Sequence, residues 1–450
     1  MDVKQINMQK LFAMLAQPKV ELEPLKDIEK REIEIKYITC SGAVDSGKIW
    51  LYVPAKAKKP LPLVYVGHYE MPIDSLEIRD YLLSGFAVAS RAEFKEEYNA
   101  TLTNDDLIFN NAALYTLRNM PEIDVNRIAV VGGSAGGYMS LMLNAMQLGI
   151  CCSVANGPIC NAYFNFYRYF LSSKKYNEKE FLQAIASGEK DFQKLILSLP
   201  IPFLGLVSMG GFVRGVETGY DQARWEAVSP TALAECFCNP LYINQATSDI
   251  LVPLDQLTHK FVYKKGGETL PEDFSNLMPD DMEGKLKFTF WERLNQNELN
   301  LFKSEPITDG KDRPYEFDKN KLFNVNVCDE GAPESYSSHS LGLSNARTLD
   351  IDYIKYYFGL TATKTNILTS EKLILFAQRY EGKALQLVAH ENVDDTLYGS
   401  LAVYRKEIIG ELKKWATDNG MDALLEVTKK ALALDKSYEK TLTEITKKIK

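Results

Sequence analysis

An excess of positive charge is the first thing this sequence lacks: 60 acidic residues against 52 Lys and Arg leave a net charge of -8 over 450 residues. That balance argues against a general attraction to nucleic acid or to an anionic membrane, and it leaves a small molecule or a peptide as the expected partner. Cysteine is sparse. The seven present, Cys40, Cys151, Cys152, Cys160, Cys236, Cys238 and Cys328, are an odd number spread thinly, as expected of reduced thiols in a cytoplasmic protein. Cys236-Phe237-Cys238 is too short a spacing for a zinc knuckle, and neither a metal nor a cofactor is expected. The first ten residues carry no apolar core followed by a small-residue cleavage site, so no signal peptide is expected. One charge-free stretch, Leu195 to Val213, has the length of a membrane span. Pro200, Pro202, Gly205, Gly210 and Gly211 would interrupt the helix a bilayer demands, and the stretch reads as buried or pocket-lining chain.

What is present is organised around Arg127-Ile128-Ala129-Val130-Val131-Gly132-Gly133-Ser134-Ala135-Gly136-Gly137-Tyr138-Met139. Its first half is a short apolar, β-branched run that reads as a buried strand. Its second half, from Ala135 to Gln147, has the apolar spacing of a helix. Between them Gly132-Gly133-Ser134-Ala135-Gly136 fits G-x-S-x-G, the pattern of a sharp strand-to-helix turn. Such a turn needs small residues two positions either side of the serine. It pushes the Ser134 hydroxyl out at the top of the sheet and aims the positive end of the following helix at any oxyanion formed there. Ser134 is therefore the candidate nucleophile.

Around that turn the chain alternates strands and helices, which implies βαβ units, a mostly parallel central sheet and an α/β fold with helices on both faces. Residues 1–30 read as an N-terminal helical segment. Strands are expected at Glu32–Cys40 and Lys48–Val53, as an antiparallel edge, then at Leu61–Val66, Phe86–Ala92, Cys151–Asn156, Leu241–Ala246 and Leu322–Cys328. Helices are expected at Ser75–Leu83 and Asp105–Met120. The core unit spans 31–360, with a helical, aromatic-rich cap insertion at 157–239 and a charged, loop-rich second insertion at 264–320. Aromatics of the cap such as Tyr163 and Phe166 read either as ordinary cap core or as substrate contacts, since ligands in open α/β sheets bind at the C-terminal edge. Residues 361–450 form a mainly helical extension. Its two readings are a dimerisation element, making a homodimer, and an appendage packed on its own chain.

An unassisted serine hydroxyl is a poor nucleophile at neutral pH, so a base and an acid are needed. Asp249 follows the Leu241–Ala246 strand and is the candidate acid, with Asp255 its nearest competitor and a turn or helix cap its structural alternative. The sequence holds only four histidines. His68 stands where the Leu61–Val66 strand opens, a place suited to an oxyanion loop, and His259 reads as packing or surface. His390 lies beyond the expected end of the unit. His339 follows the last strand and gives the chain order Ser134, Asp249, His339, the order used by this fold. His339 is the candidate base, with His390 as the alternative. The backbone N–H of Ala135 and a second donor from the Gly67–Glu70 loop, most simply Tyr69, are expected to hold the oxyanion.

Asp124-Val125-Asn126-Arg127-Ile128, three residues and then Gly132-Gly133-Ser134-Ala135-Gly136-Gly137-Tyr138-Met139 resembles the elbow of prolyl oligopeptidase-like α/β-hydrolases. Ser248-Asp249-Ile250-Leu251-Val252-Pro253 is similar to their acid-bearing segment, and the likeness runs from residue 45 to residue 360. Ser338-His339-Ser340 lacks the glycine that often neighbours the family's histidine. The resemblance implies a serine hydrolase with an acyl-enzyme intermediate. Full-length peptidases of the family carry a β-propeller before this domain, and no repeat of blade length precedes it here, which shifts the expectation toward esterases of small organic substrates. A peptidase or amidase with the same triad is the alternative, and a non-catalytic ligand-binding protein on this fold is a third. His68-Tyr69-Glu70 lacks the H-G-G form of related esterases. Glu70 there either meets a cationic group of the substrate or points to solvent.

Overall fold

The computed structural model describes residues 24–38, 43–92, 102, 104–146, 150–173, 222–237, 239–246, 249, 252–258, 264–265, 268–269, 282–296, 307–308, 317–319, 321, 323–328, 347–363 and 417. The chain begins with β1 (Ile28–Ile38), β2 (Val44–Pro54) and β3 (Leu61–Glu70), followed by α1 (Leu76–Leu83), β4 (Ala87–Arg91), α2 (Asn104–Arg118) and β5 (Ile123–Gly133). Next come α3 (Ala135–Met146), β6 (Cys152–Asn156), α4 (Ala162–Ser173), α5 (Gln222–Ala227), a 3-10 helix at Pro230–Cys236, and β7 (Leu241–Ala246). A two-residue hairpin, β8 (Lys264–Lys265) with β9 (Glu268–Thr269), precedes α6 (Phe290–Asn295), β10 (Ile307–Thr308), β11 (Phe323–Cys328) and α7 (Arg347–Thr363).

Nine strands form one sheet in the order β1-β2-β4-β3-β5-β6-β7-β11-β10. β1 pairs antiparallel with β2, and β2 antiparallel with β4; every other pairing in this sheet is parallel. The parallel strands are short apolar runs because both their faces are covered. Along β5 the side chains alternate: Ile128 and Val130 join a cluster with Leu107, Phe109, Tyr138 and Met142 of α2 and α3. Ala129 and Val131 join another with Ile78 of α1 and Tyr353 and Ile354 of α7. With a side-chain period of two, those clusters lie on opposite faces, and helices therefore cover both. This order, with the second strand antiparallel and a helix after the sharp turn at the end of β5, is the α/β-hydrolase fold.

Among the described residues, the strands expected from Glu32 to Cys328 and the helices expected at Ser75–Leu83 and Asp105–Met120 are present in the expected order, with ends shifted by a few residues; of the helical segment expected at 1–30, residues 1–23 lie outside the described residues and 28–30 belong to β1. β1 starts at Ile28 because its ladder with β2 runs unbroken from Ile28↔Pro54 to Ile38↔Val44, polar positions included. The second insertion departs from a loop-rich reading. Thr289 caps α6, its side chain accepting from the Glu292 N–H while Glu292 bonds back to the Thr289 N–H. That reciprocal cap starts a helix whose Phe290, Trp291 and Leu294 are fully buried, and β10 adds an edge strand to the main sheet. The insertion is thus part of the core at these points. Leu195–Val213 and nearly all of 361–450 lie outside the described residues. Among the described residues, no helix is long and apolar enough to cross a membrane.

Candidate active site

β5 ends at Gly133, and Ser134 follows with φ of 56°, a left-handed conformation that non-glycine residues rarely adopt. Two contacts hold it there. Its N–H donates to the Asn156 carbonyl at the end of β6 at 2.8 Å, and its own carbonyl accepts the Tyr138 N–H at 2.9 Å, the first turn of α3. The glycines around it are required by space. A Cβ on Gly132 would stand 2.5 Å from the carbonyl carbon of Gly136, and a Cβ on Gly136 would stand 3.0 Å from the Gly67 carbonyl oxygen and 3.4 Å from the Tyr69 ring. The small residues of G-x-S-x-G thus let the strand fold back on the helix and let the β3 loop close over the turn.

That loop is the end of β3. His68 has φ of 77°, also left-handed, and is fully buried. Its N–H donates to Oδ1 of Asn110 on α2 at 3.5 Å. The same oxygen accepts the Tyr65 hydroxyl at 2.7 Å, and the Asn110 amide donates to the Asp106 carbonyl at 2.7 Å. Behind them Arg91, at the end of β4, forms a buried ion pair with Asp106 and lies over the Phe109 ring at 4.7 Å. Burial pushes the His68 imidazole down to about 4, with Asp106 opposing and Arg91 reinforcing that shift. A buried, neutral imidazole offers no surface to a substrate. His68 packs edge-on against Tyr69, with ring centroids 4.7 Å apart, and supports that residue from behind.

The turn at His68 brings the Tyr69 side chain to the elbow. Its ring stands 3.4 Å from where a Cβ on Gly136 would lie, and its hydroxyl is within electrostatic reach of Ser134 and the Ala135 N–H. Burial pushes the Tyr69 hydroxyl up, with Ser134 and the Ala135 N–H pulling the other way, so the phenol keeps its proton at neutral pH. Three expected residues, Ser134, Ala135 and Tyr69, are therefore neighbours at the elbow. Glu70 ends β3 and is partly exposed.

Asp249 stands three residues beyond β7, at the same C-terminal edge as Ser134, with β6 between their strands. It is 4% exposed. Its Oδ1 accepts the Val252 N–H at 2.9 Å and its Oδ2 accepts Nε2 of Gln245 at 3.3 Å, so the carboxylate is held in a tight turn. Asp255, its competitor, lies in the 3-10 turn Leu254–Gln256 and is partly exposed. His339, His259 and His390 lie outside the described residues.

In the cap, Tyr163 and Phe166 on α4 both pack on Trp225 of α5, with centroids 5.2 and 5.4 Å apart. Tyr163 is 5% exposed and belongs to the core cluster; Phe166 is partly exposed against it. The start of α4 is fixed by Gln256, whose Oε1 accepts the N–H groups of Cys160 at 2.9 Å and Asn161 at 3.1 Å. Gln256, Asn110 and Gln245 are polar residues that no motif marked; each acts through side-chain bonds to backbone or side chain elsewhere in the chain. Among the described residues, no cluster of His, Cys, Asp and Glu has the makings of a metal site.

No protein-family model matches the sequence, and no curated protein matches it. Similar solved structures include an acylaminoacyl peptidase of Pyrococcus horikoshii, at 14% identity and a TM-score of 0.42, over 75% of this chain and 42% of that one. An esterase of Pyrococcus furiosus matches at 15% identity and a TM-score of 0.41, over 76% of this chain and 96% of that one. Dipeptidyl peptidase 4 of Porphyromonas gingivalis matches at 15% identity and a TM-score of 0.38, over 73% of this chain and 35% of that one. This chain spans less than half the length of the two peptidases.

Proposed function

We propose that the protein is a serine hydrolase that cleaves a carboxylic ester of a small organic substrate. The observation that carries the reading is Ser134 itself, held on a left-handed turn between β5 and the start of α3 with Tyr69 beside it. In the proposed reaction Ser134 Oγ attacks the substrate carbonyl while His339 takes its proton, with Asp249 orienting the imidazole. The oxyanion takes hydrogen bonds from the Ala135 N–H and from the Tyr69 hydroxyl, which turns its proton from solvent or neighbour to the new charge. Collapse of the tetrahedral intermediate breaks the ester C–O bond, and His339 returns the proton to the leaving alkoxide. Water then repeats the cycle on the acyl-enzyme and frees Ser134 and the carboxylic acid.

An ester makes the smaller demand on such a site, because an alkoxide leaves with less help from a proton than an amine does. A peptidase or amidase is the second reading. Glu70 favours it, since a partly exposed carboxylate one residue from Tyr69 suits the ammonium of a peptide N-terminus. A non-catalytic binding protein is the third, and it leaves the left-handed Ser134 without a purpose. We place the protein in the cytoplasm on its thinly spread cysteines, of which Cys151, Cys152 and Cys160 are buried free thiols.

The test is fluorophosphonate labelling of the full-length chain with peptide mapping by mass spectrometry, alongside turnover of short p-nitrophenyl esters and aminoacyl anilides. Labelling at Ser134 with ester turnover, both lost in Ser134→Ala, supports the esterase. Preference for anilides promotes the peptidase, and absence of labelling at any serine promotes the binding protein.

A further inference from the structure

Three asparagines stand in one row of the sheet beside the elbow. Gly133 of β5 pairs with Asn156 of β6, Asn156 with Asn244 of β7, and Asn244 with Asn326 of β11. All three are buried, at 6%, 3% and 5% exposure. Asparagine is disfavoured in strands, and a buried amide is costly unless bonded, so three in register run against both local preference and burial. Their side chains converge. Nδ2 of Asn326 donates to Oδ1 of Asn244 at 3.1 Å, and Nδ2 of Asn244 donates to Oδ1 of Asn156 at 2.7 Å. The row then closes on Asp350, in the first turn of α7 and 2% exposed: its Oδ2 accepts Nδ2 of Asn156 at 2.8 Å and its Oδ1 accepts Nδ2 of Asn244 at 3.3 Å.

The backbone of the same residues carries the elbow. The Asn156 carbonyl accepts the Ser134 N–H, and the Asn244 carbonyl accepts the N–H of Gly157, the next residue after Asn156. Asn156 is thus gripped at its side chain by Asp350 and Asn244 and on its C-terminal side by β7. A left-handed serine persists only where its surroundings over-determine it, and the Asn156 carbonyl is one of those restraints.

We propose that Asp350 is a positioning residue for Ser134: by holding the Asn156 side chain, its carboxylate fixes the carbonyl that anchors the nucleophile's N–H. This rests on the reading of Ser134 as nucleophile. The carboxylate is well suited to the task, since it accepts from two amides at once and lies at the positive end of a long helix.

The chemistry of the cluster supplies its own test. In Asp350→Asn an amide replaces one acceptor and leaves a donor facing a donor; in Asn156→Asp two carboxylates face each other. In the double variant Asn156→Asp/Asp350→Asn, the carboxylate at 156 accepts from Asn244 and from the new amide at 350, whose oxygen accepts from Asn244. All three bonds are restored, with donor and acceptor exchanged only between 156 and 350. With full-length protein, fluorophosphonate labelling of Ser134 and turnover of p-nitrophenyl acetate are measured per folded molecule, folding being followed by circular dichroism. Each single variant is expected to slow labelling and kcat by roughly tenfold or more with KM little changed, as for a buried polar group left unsatisfied. The double variant is expected to return to within about threefold of the parent, the coupling expected of touching residues. Asp350→Ser, which keeps one acceptor at the helix start, replaces Asp350→Asn if the latter does not fold and is held to the same loss. Single variants that label at the parent's rate, or a folded double variant as slow as the singles, would overturn the proposal while leaving the nucleophile in place. A parent that does not label at Ser134 would overturn the nucleophile reading itself.

Discussion

Tyr69 stands beside Ser134 at the elbow, although the two residues come from the ends of different strands, β3 and β5. A phenol with its pKa raised by burial is protonated at neutral pH and can give that proton to an oxyanion. Tyr69→Phe keeps the ring that packs on Gly136 and His68 and removes only the hydroxyl. Turnover of a p-nitrophenyl ester should show kcat lowered by about 100- to 1,000-fold, the usual cost of losing one oxyanion donor, with the melting temperature little changed.

Gly132 admits nothing larger. Its hypothetical Cβ would meet the Gly136 carbonyl carbon and oxygen at 2.5 Å each, and both are backbone atoms that cannot swing aside. Gly132→Ala should therefore destabilise the fold by about 1–3 kcal/mol, the usual range for overpacking, and urea unfolding should show it as a lower midpoint at unchanged slope.

His68 supplies a pH dependence of stability. Its imidazole ionises near 6.5 in an unfolded chain and only at about 4 in the folded one. Between those values the unfolded chain binds the extra proton, so the contribution of His68 is intact above about pH 6.5 and is lost as pH falls toward about 4, by roughly 3 kcal/mol in all. His68→Asn keeps a residue that tolerates the left-handed turn and removes the titration. Denaturant unfolding from pH 7 to pH 4 should show a flatter loss of stability in that variant than in the parent.

The base is predicted from chain order, and it lies outside the described residues. His339→Ala should lower kcat by about 100- to 10,000-fold, the range for a general base, while His390→Ala should leave kcat within about threefold. Equal losses in the two variants would reassign the base.

Much of the architecture was legible because it is written locally. The elbow occupies a few consecutive residues, and its glycine spacing follows from how closely a strand can turn into a helix. The strands β5, β6 and β7 are apolar runs bounded by turns, and their burial on both faces makes them readable without pairing partners. Ile307–Thr308 was not legible as a strand, since two residues hold no period. The α6 helix did leave a sign in its Thr289 and Glu292 capping pair, but it is short, and the charged chain around it hid the buried Phe290, Trp291 and Leu294. At the site, the burial of His68 was not legible in sequence, because it follows from a left-handed turn that sets its ring against Tyr69. Asn156 and Asp350, 194 positions apart, become neighbours only when the sheet and its final helix have assembled, and no local pattern announces such a pair.

The hydrogen bond from the Ser134 amide to the Asn156 carbonyl also sets the timescale on which the site can come apart. That amide adds one more bond to the C-terminal end of the β5–β6 ladder, between two interior strands of the sheet, so its proton is expected to exchange with solvent when those strands separate. Native-state hydrogen exchange at Ser134 should then follow the slowest class of amides in the protein. If Ser134 is the nucleophile proposed above, heat inactivation should track global unfolding, with no earlier transition of its own.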